Sequence, residues 1–240
     1  TVGQRPTGHL RPSPAPPTVL STVRVIARND VQSGMEIGIV GTGSVARALG
    51  TGFTRAGHTV RFGTRLPDRE DVRELVASVA GSEAGPVAWA AEAPVLVLAV
   101  PADSVTAILD GLDYDGVLVD PTNRYPTAGE ESQYDVVSRL APDARVVKAF
   151  NTLGAEVMTD PDFDGVAATM LVAGEDVAAK ETVLGLAADL GFDPLDAGDG
   201  SAAPSLEDLA RLWIRLAVTG AGPASDRELG REFAFVVHAR

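Results

Sequence analysis

A doubly wound α/β fold, built on a mostly parallel sheet with a small C-terminal helical extension, is what this sequence predicts, and three observations predict it. From Met35 onward, strand-like and helix-like runs alternate. The strand runs are continuous stretches of Val, Ile and Leu rather than alternations of apolar and polar residues, as strands buried on both faces of a sheet must be. A glycine-rich turn, Gly41-Thr42-Gly43-Ser44-Val45-Ala46, joins the first strand run to the first helical run.

Strands are predicted over residues 36–40, 59–63, 95–100, 117–120, 145–150 and 169–173, with a weaker one at 191–196. Helical periodicity fills the gaps at 44–56, 68–80, 104–109, 132–140, 176–190 and 206–218, and a last helical stretch is predicted near 228–238. Strand–helix alternation of this kind reads as successive βαβ units. The predicted organisation is a Rossmann-type domain over residues 35–200 followed by a C-terminal helical segment over residues 201–240.

Residues 1–34 read differently. Pro6, Pro12, Pro14, Pro16 and Pro17 are interleaved with Arg5, Arg11, Arg24 and Arg28, and no acid precedes Asp30. Such a segment buries too little apolar surface to offset its ordering entropy, so a disordered tail is expected, with a basic docking arm as the alternative. Met35 would make a natural start, and the tail then reads as an added segment or an upstream start.

The 240 residues, 45% of them apolar, suffice for a sizeable core. A net charge of −13 repels phosphate backbones and anionic lipid, so no nucleic-acid partner is expected. Cysteine is absent, which removes disulfides, thiolate metal sites and thiol nucleophiles. His9, His58 and His238 are too scattered to suggest a metal site, and none is expected. No apolar run approaches the ~20 residues of a membrane span and no signal-peptide core opens the chain, so the expectation is a cytoplasmic protein without membrane contact.

The turn after the first strand carries the most chemistry. In a GxGxxA turn, Gly41 permits the tight bend, Gly43 lets backbone approach a pyrophosphate, and Ala46 lets helix and strand pack closely. The helix N-terminus then meets the phosphates with free N–H groups and its positive dipole end. Strand, turn, helix and second strand fall in the register of a Rossmann unit; a glycine turn kept for packing alone is the alternative. The second strand ends Arg61-Phe62-Gly63-Thr64-Arg65. An NAD site usually carries an acid there to hold the ribose hydroxyls. A hydroxyl at Thr64 and a guanidinium at Arg65, with Arg69 in support, suit a 2′-phosphate instead, so NADP(H) is the predicted cofactor. Val100 and Pro101, at a strand exit, should flank the nicotinamide.

These residues, with the segments Leu96–Ala102, Val119–Asn123, Val146–Thr152, Leu171–Gly174 and Ala188–Ala197, resemble the NADPH-dependent coenzyme F(420) reductase family. The likeness covers essentially everything after the tail, and Lys148-Ala149-Phe150-Asn151-Thr152 is its most specific piece. That piece also resembles the cytosolic reductase domain of membrane ferric reductases. What the resemblance implies is an oxidoreductase that moves a hydride between NADP(H) and a deazaflavin, coenzyme F(420), by stacking and water exclusion rather than by an acid or base. Thr42, Gly43, Ser44 and Val45 would hold the pyrophosphate. Asn151 and Thr152 would sit where the two rings meet, and Ser201, Leu206 and Trp213 would form the far wall of the second pocket. Some family members carry His at the position of Asn151, a departure that bears on the second cofactor.

Other readings stay open at this point. FMN or FAD presents the same tricyclic face as a deazaflavin, so a flavin or ferric reductase is one. An imine reductase resembling pyrroline-5-carboxylate reductases is another, disfavoured because only about two helices follow the last predicted strand. Hydroxyacid dehydrogenases need a catalytic lysine on a similar extension, and none follows Lys180. A non-catalytic NADP(H)-sensing module is a third reading. Trp213, beside Leu209, Leu212 and Leu216, reads more readily as core than as cofactor stack; Asn151 could cap a helix starting near Gly154; Lys148 could pair with a carboxylate; His58 carries no catalytic role. A homodimer through the C-terminal helices would complete the pocket wall, and the direction of transfer is left open.

Overall fold

The structure, a computed structural model, describes residues 34–124, 131–220 and 229–238. The predicted tail lies outside these residues except for Gly34. Residues Ser33–Arg240 fall in one compact unit.

The chain runs β1 (Glu36–Val40), α1 (Ser44–Arg55), β2 (Thr59–Gly63), α2 (Glu70–Ser78), β3 (Ser82–Gly85), α3 (Val87–Ala90), β4 (Val95–Leu98), α4 (Ala102–Leu109), β5 (Val117–Asp120), α5 (Gln133–Leu140) and β6 (Arg145–Lys148). A small hairpin follows, β7 (Asp162–Phe163) and β8 (Val166–Ala167), then β9 (Thr169–Ala173), α6 (Val177–Asp189), β10 (Asp193–Gly198) and α7 (Ala203–Thr219). The first six strands lie in the order β3-β2-β1-β4-β5-β6, all parallel. That is the doubly wound order whose reversal between β1 and β4 opens a crevice at the strands' carboxyl ends. β9 joins β6 antiparallel through Lys148↔Ala173, and β10 extends the sheet parallel to β9.

Alternation along the strands divides the core into two layers. Ile37 and Ile39 of β1, Val95 and Val97 of β4, and Val117 and Val119 of β5 join Leu49 and Phe53 of α1 and Val183 of α6 in one cluster. Leu96, Leu98 and Leu118, from the other parity, join Val105 of α4, Val137 of α5 and Leu206 of α7 in the second. Both faces are covered, which explains the continuous apolar strands. Two helices also start on chemistry written in the sequence. Ser132 and Asp135 form a reciprocal capping box on α5, and the Asp176 side chain accepts the Ala179 N–H at 2.7 Å on α6.

The structure departs from the predicted elements in several places, and α3 and the β7–β8 hairpin are among the elements not predicted. β3 was not predicted, because Ser-Glu-Ala-Gly carries no β-branched residue and forms as an edge beside β2. The strand predicted over 95–100 stops at Leu98, where the Val100 N–H turns back onto the Leu98 carbonyl at 2.9 Å. The strand predicted over 145–150 stops at Lys148; Phe150 adopts a left-handed φ of 58°. Residues 229–238 are an irregular segment, not the predicted helix: the Phe235 carbonyl accepts the Thr169 N–H, and the Val237 N–H donates to Thr169 Oγ1. Among the described residues no helix is long and apolar enough to cross a membrane.

Candidate functional site

A cleft of about 540 Å³ lies over the carboxyl ends of β1, β2 and β4. Its floor is backbone. Gly41 has φ +118° and its N–H reaches the Gly63 carbonyl at 3.0 Å; a Cβ here would stand 2.1 Å from the Ala99 carbonyl oxygen. Only glycine joins β1 to α1 in this way. Above Gly43 there is open space where a Cβ would lie. Gly43 precedes α1 in extended conformation, no side chain caps the helix, and no acid occupies its first turn. The free N–H groups and the dipole's positive end are left for an anion.

Of the residues predicted from sequence to hold NADP(H), the structure brings Gly41, Thr42, Gly43, Thr64, Arg65, Arg69, Val100 and Pro101 into this one cleft. Ser44 and Val45 open α1 outside its lining, Ser44 exposed and Val45 packed against the core. Arg65 is exposed and has no hydrogen-bond or ion-pair partner among the described residues, whereas Arg69 is gripped by Asp71 at 2.9 and 2.5 Å. Arg61, pointing the other way, is held by Glu36 and Glu92 and stacks over Trp89. Sequence reasoning missed the apolar side of the cleft: Leu66, Val87, Ala107 and Ile108. Part of the signal was there, since Ser104, Ala107 and Ile108 share the α4 face that the core residues Val105 and Leu109 leave free.

The other predicted residues lie apart from the cleft. Asn151 and Thr152 are buried at the exit of β6. Asn151 Nδ2 donates to Asn123 Oδ1 and to the Leu206 carbonyl, each at 3.0 Å, and Asn123 Nδ2 returns a bond to the Asn151 carbonyl. Asn151 does not cap a helix: its amide donates, and residues 155–159 form turns. Asn151 Oδ1 is buried with no partner.

Ser201, Leu206 and Trp213 do not gather into the predicted pocket wall. Ser201 is exposed and bonds Asp199. Leu206 is buried in the core beneath α7. Trp213 donates its indole N–H to the Phe233 carbonyl at 2.9 Å, and the Phe233 ring stacks on it at 5.2 Å and 18°. Phe233, in the segment after α7, thus covers one face of the Trp213 ring.

Lys148 pairs with carboxylates, as one reading of the sequence allows, and does so on two elements at once. Its ammonium, wholly buried, reaches Asp120 Oδ2 and Glu207 Oε1, each at 2.9 Å, and donates to the Thr122 carbonyl. Glu207, 2% exposed, also accepts the first N–H groups of α5, from Gln133 and Tyr134, at 3.0 Å each. His58, by contrast, is spoken for: Nδ1 accepts the Met35 N–H, and Nε2 meets Asp189.

A doubly wound sheet, an uncapped helix behind a glycine turn, and a cleft at the strand-order reversal define an α/β protein of the nicotinamide-dinucleotide class. Residues 36–124 match the family described as NADP oxidoreductase, coenzyme F(420)-dependent. Over these residues the chain is similar to the NADP-dependent oxidoreductases of that family. A crystal structure from Arthrobacter sp. FB24, named for F(420)-dependent NADP reductase activity, is 28% identical with a TM-score of 0.73, covering 86% of this chain and all of that one. Protein SMa0349 of Sinorhizobium meliloti is 30% identical over 71% of this chain and 88% of its own, with a TM-score of 0.65. Metalloreductase STEAP3 of Rattus norvegicus is 31% identical over 72% of this chain, which spans 36% of that protein's length. A reductive aminase of Aspergillus terreus, at 22% identity and a TM-score of 0.60, shares the fold.

Proposed function

We propose that the protein transfers a hydride between NADP(H) and a deazaflavin, coenzyme F(420). The observation that carries the cofactor half is the tip of β2: no carboxylate, a hydroxyl at Thr64, and at Arg65 a guanidinium with no partner among the described residues, all opening into the glycine-floored cleft. A 2′-phosphate gives that guanidinium a bidentate partner that an unphosphorylated ribose does not. The N–H groups at the start of α1 hold the pyrophosphate. Val100 and Pro101 face the nicotinamide and keep water from it. When bound, the nicotinamide and the deazaflavin would supply the hydride chemistry in either direction, so the chain's residues would position the two rings and the accompanying proton would be exchanged with solvent. Asn151 Oδ1, an acceptor without a partner at the β6 exit, fits a ring N–H of the second cofactor. The family match over residues 36–124 and the Arthrobacter relative's name support the deazaflavin.

A second reading, a flavin-linked metal reductase, is favoured by the likeness to STEAP3. Stopped-flow absorbance with NADPH and oxidised F(420), beside FMN, FAD and NADH, decides between the two. Rapid NADPH-specific bleaching of the deazaflavin is expected. Bleaching of a flavin alone would favour the second reading. Binding of NADPH with neither acceptor reduced would leave a sensing module or an imine reductase. A cytoplasmic location and a homodimer through the C-terminal helices complete the proposal.

A further inference from the structure

We propose that Lys148, acting with Asp120 and Glu207, is the positioning residue of the second-cofactor side, fixing where the Asn151 carboxamide stands. The inference rests on the reading that Asn151 faces the second ring. One ammonium binds three elements: Asp120 at the end of β5, the Thr122 carbonyl beyond it, and Glu207 of α7. Asp120 tightens the same exit with its other oxygen, accepting the Thr122 N–H at 2.9 Å and the Thr122 hydroxyl at 2.5 Å. Glu207 ties α5 to the point through Gln133 and Tyr134.

Both bonds from the Asn151 amide then land one residue from a Lys148 partner. Leu206 precedes Glu207, and Asn123 follows Thr122. The frame on which Asn151 is fastened is therefore the frame that Lys148 assembles, and Asn151 itself lies three residues beyond Lys148 on the same strand exit. With Nδ2 donating twice, Oδ1 is buried without a partner among the described residues. None of these residues lines the NADP(H) cleft. Loss of Lys148 should hence move the ring-facing carboxamide and leave the dinucleotide side alone, and a shift of about 1 Å at a reacting site costs up to roughly a hundredfold in rate.

The test uses the full chain in three forms: wild type, Lys148→Met, and Lys148→Met/Glu207→Gln, the last so that two carboxylates are not stranded together. Each is checked for cooperative melting, for NADPH affinity by fluorescence, and by nitrogen-15 NMR of the Asn151 side-chain amide, located by its loss in Asn151→Asp. In the folded variant the Asn151 amide resonances should shift and exchange faster with solvent. The Gly41 and Gly43 amides and the NADPH affinity should stay within about twofold of wild type, and kcat with F(420) should fall at least tenfold. Unmoved Asn151 resonances in a folded variant would overturn the proposal, as would NADPH affinity falling in step with kcat. Because the resonances need no turnover, a wild type that reduces no deazaflavin would sink the proposed function and leave this test standing.

Discussion

The cleft over β1, β2 and β4 and the polar cluster at the exits of β5 and β6 sit on one sheet and are built on opposite terms. The cleft is open, floored by backbone and glycine, with Arg65 unpartnered among the described residues. The cluster is closed: Lys148 and Asp120 are wholly buried, Glu207 is nearly so, and all three are fully engaged. A surface awaiting an anion can be made from local conformation, because helix N–H groups are aimed by the turn that precedes them. Aiming one carboxamide inside a core needs side chains from several elements, and charge buried for that purpose is costly unless every partner is present.

The largest effect is therefore expected inside the cluster. Lys148→Met alone strands two buried carboxylates, and breaking a buried pair costs about 3–5 kcal/mol. For a chain of this size the melting temperature should drop on the order of 10 °C. Calorimetry on Lys148→Met/Glu207→Gln should recover part of that loss. A single variant as stable as wild type would mean that water reaches the cluster, and the contrast with the cleft would dissolve.

Next comes the floor of the cleft. Gly41→Ala forces a side chain into φ +118° and against the Ala99 carbonyl. Backbone strain of this kind costs about 1–3 kcal/mol, and the loop can relieve it only by leaving the pyrophosphate path. NADPH binding measured by fluorescence should be lost along with the stability. Retained affinity would show that the turn tolerates another path between β1 and α1.

What could be read in the sequence follows the same division. The glycine turn, its helix and the β2 tip are contiguous, so their register was visible in one stretch from Gly38 to Arg65. Glu207 was not, because its partners Gln133 and Tyr134 stand 74 and 73 residues away and it caps their helix from another element. Trp213 read as core in preference to cofactor stack, though both were open; the partner that it stacks on, Phe233, lies in a segment whose apolar spacing imitates a helix. Lys148 was legible as a lysine seeking a carboxylate. That it finds two, and a carbonyl, depends on the neighbouring β5 exit and on α7.

A smaller effect separates cofactor choice from cofactor binding. Arg65→Ala should weaken NADPH by about ten- to a hundredfold, the worth of a charge-assisted bond of 1.5–3 kcal/mol. NADH affinity should be unchanged, since it lacks the 2′-phosphate. Isothermal titration with both dinucleotides measures this. An equal loss for both would move Arg65 from the 2′-phosphate to some part that the two share.

The smallest effect comes from the chain's other lysine, a control for what burial does to a pair of the same chemistry. Lys180 binds both oxygens of Asp196, at 2.9 and 3.0 Å, but the Asp196 side chain is 47% exposed. Burial pushes the Asp196 carboxyl up, yet the Gly198 N–H and the Lys180 ammonium outweigh it and hold the group below its ordinary value. A lowered folded-state pKa stabilises the protein above the unfolded value and loses that stability as pH falls through the folded one. Screening by solvent limits the gain to about 1 kcal/mol or less. Asp196→Asn should therefore melt slightly below wild type at pH 7, and the gap should close as pH falls below about 4, the unperturbed Asp range. The Lys148 deficit at neutral pH should be several times larger. Equal deficits for Lys148→Met and Asp196→Asn would mean that burial contributes nothing to the difference between the two pairs.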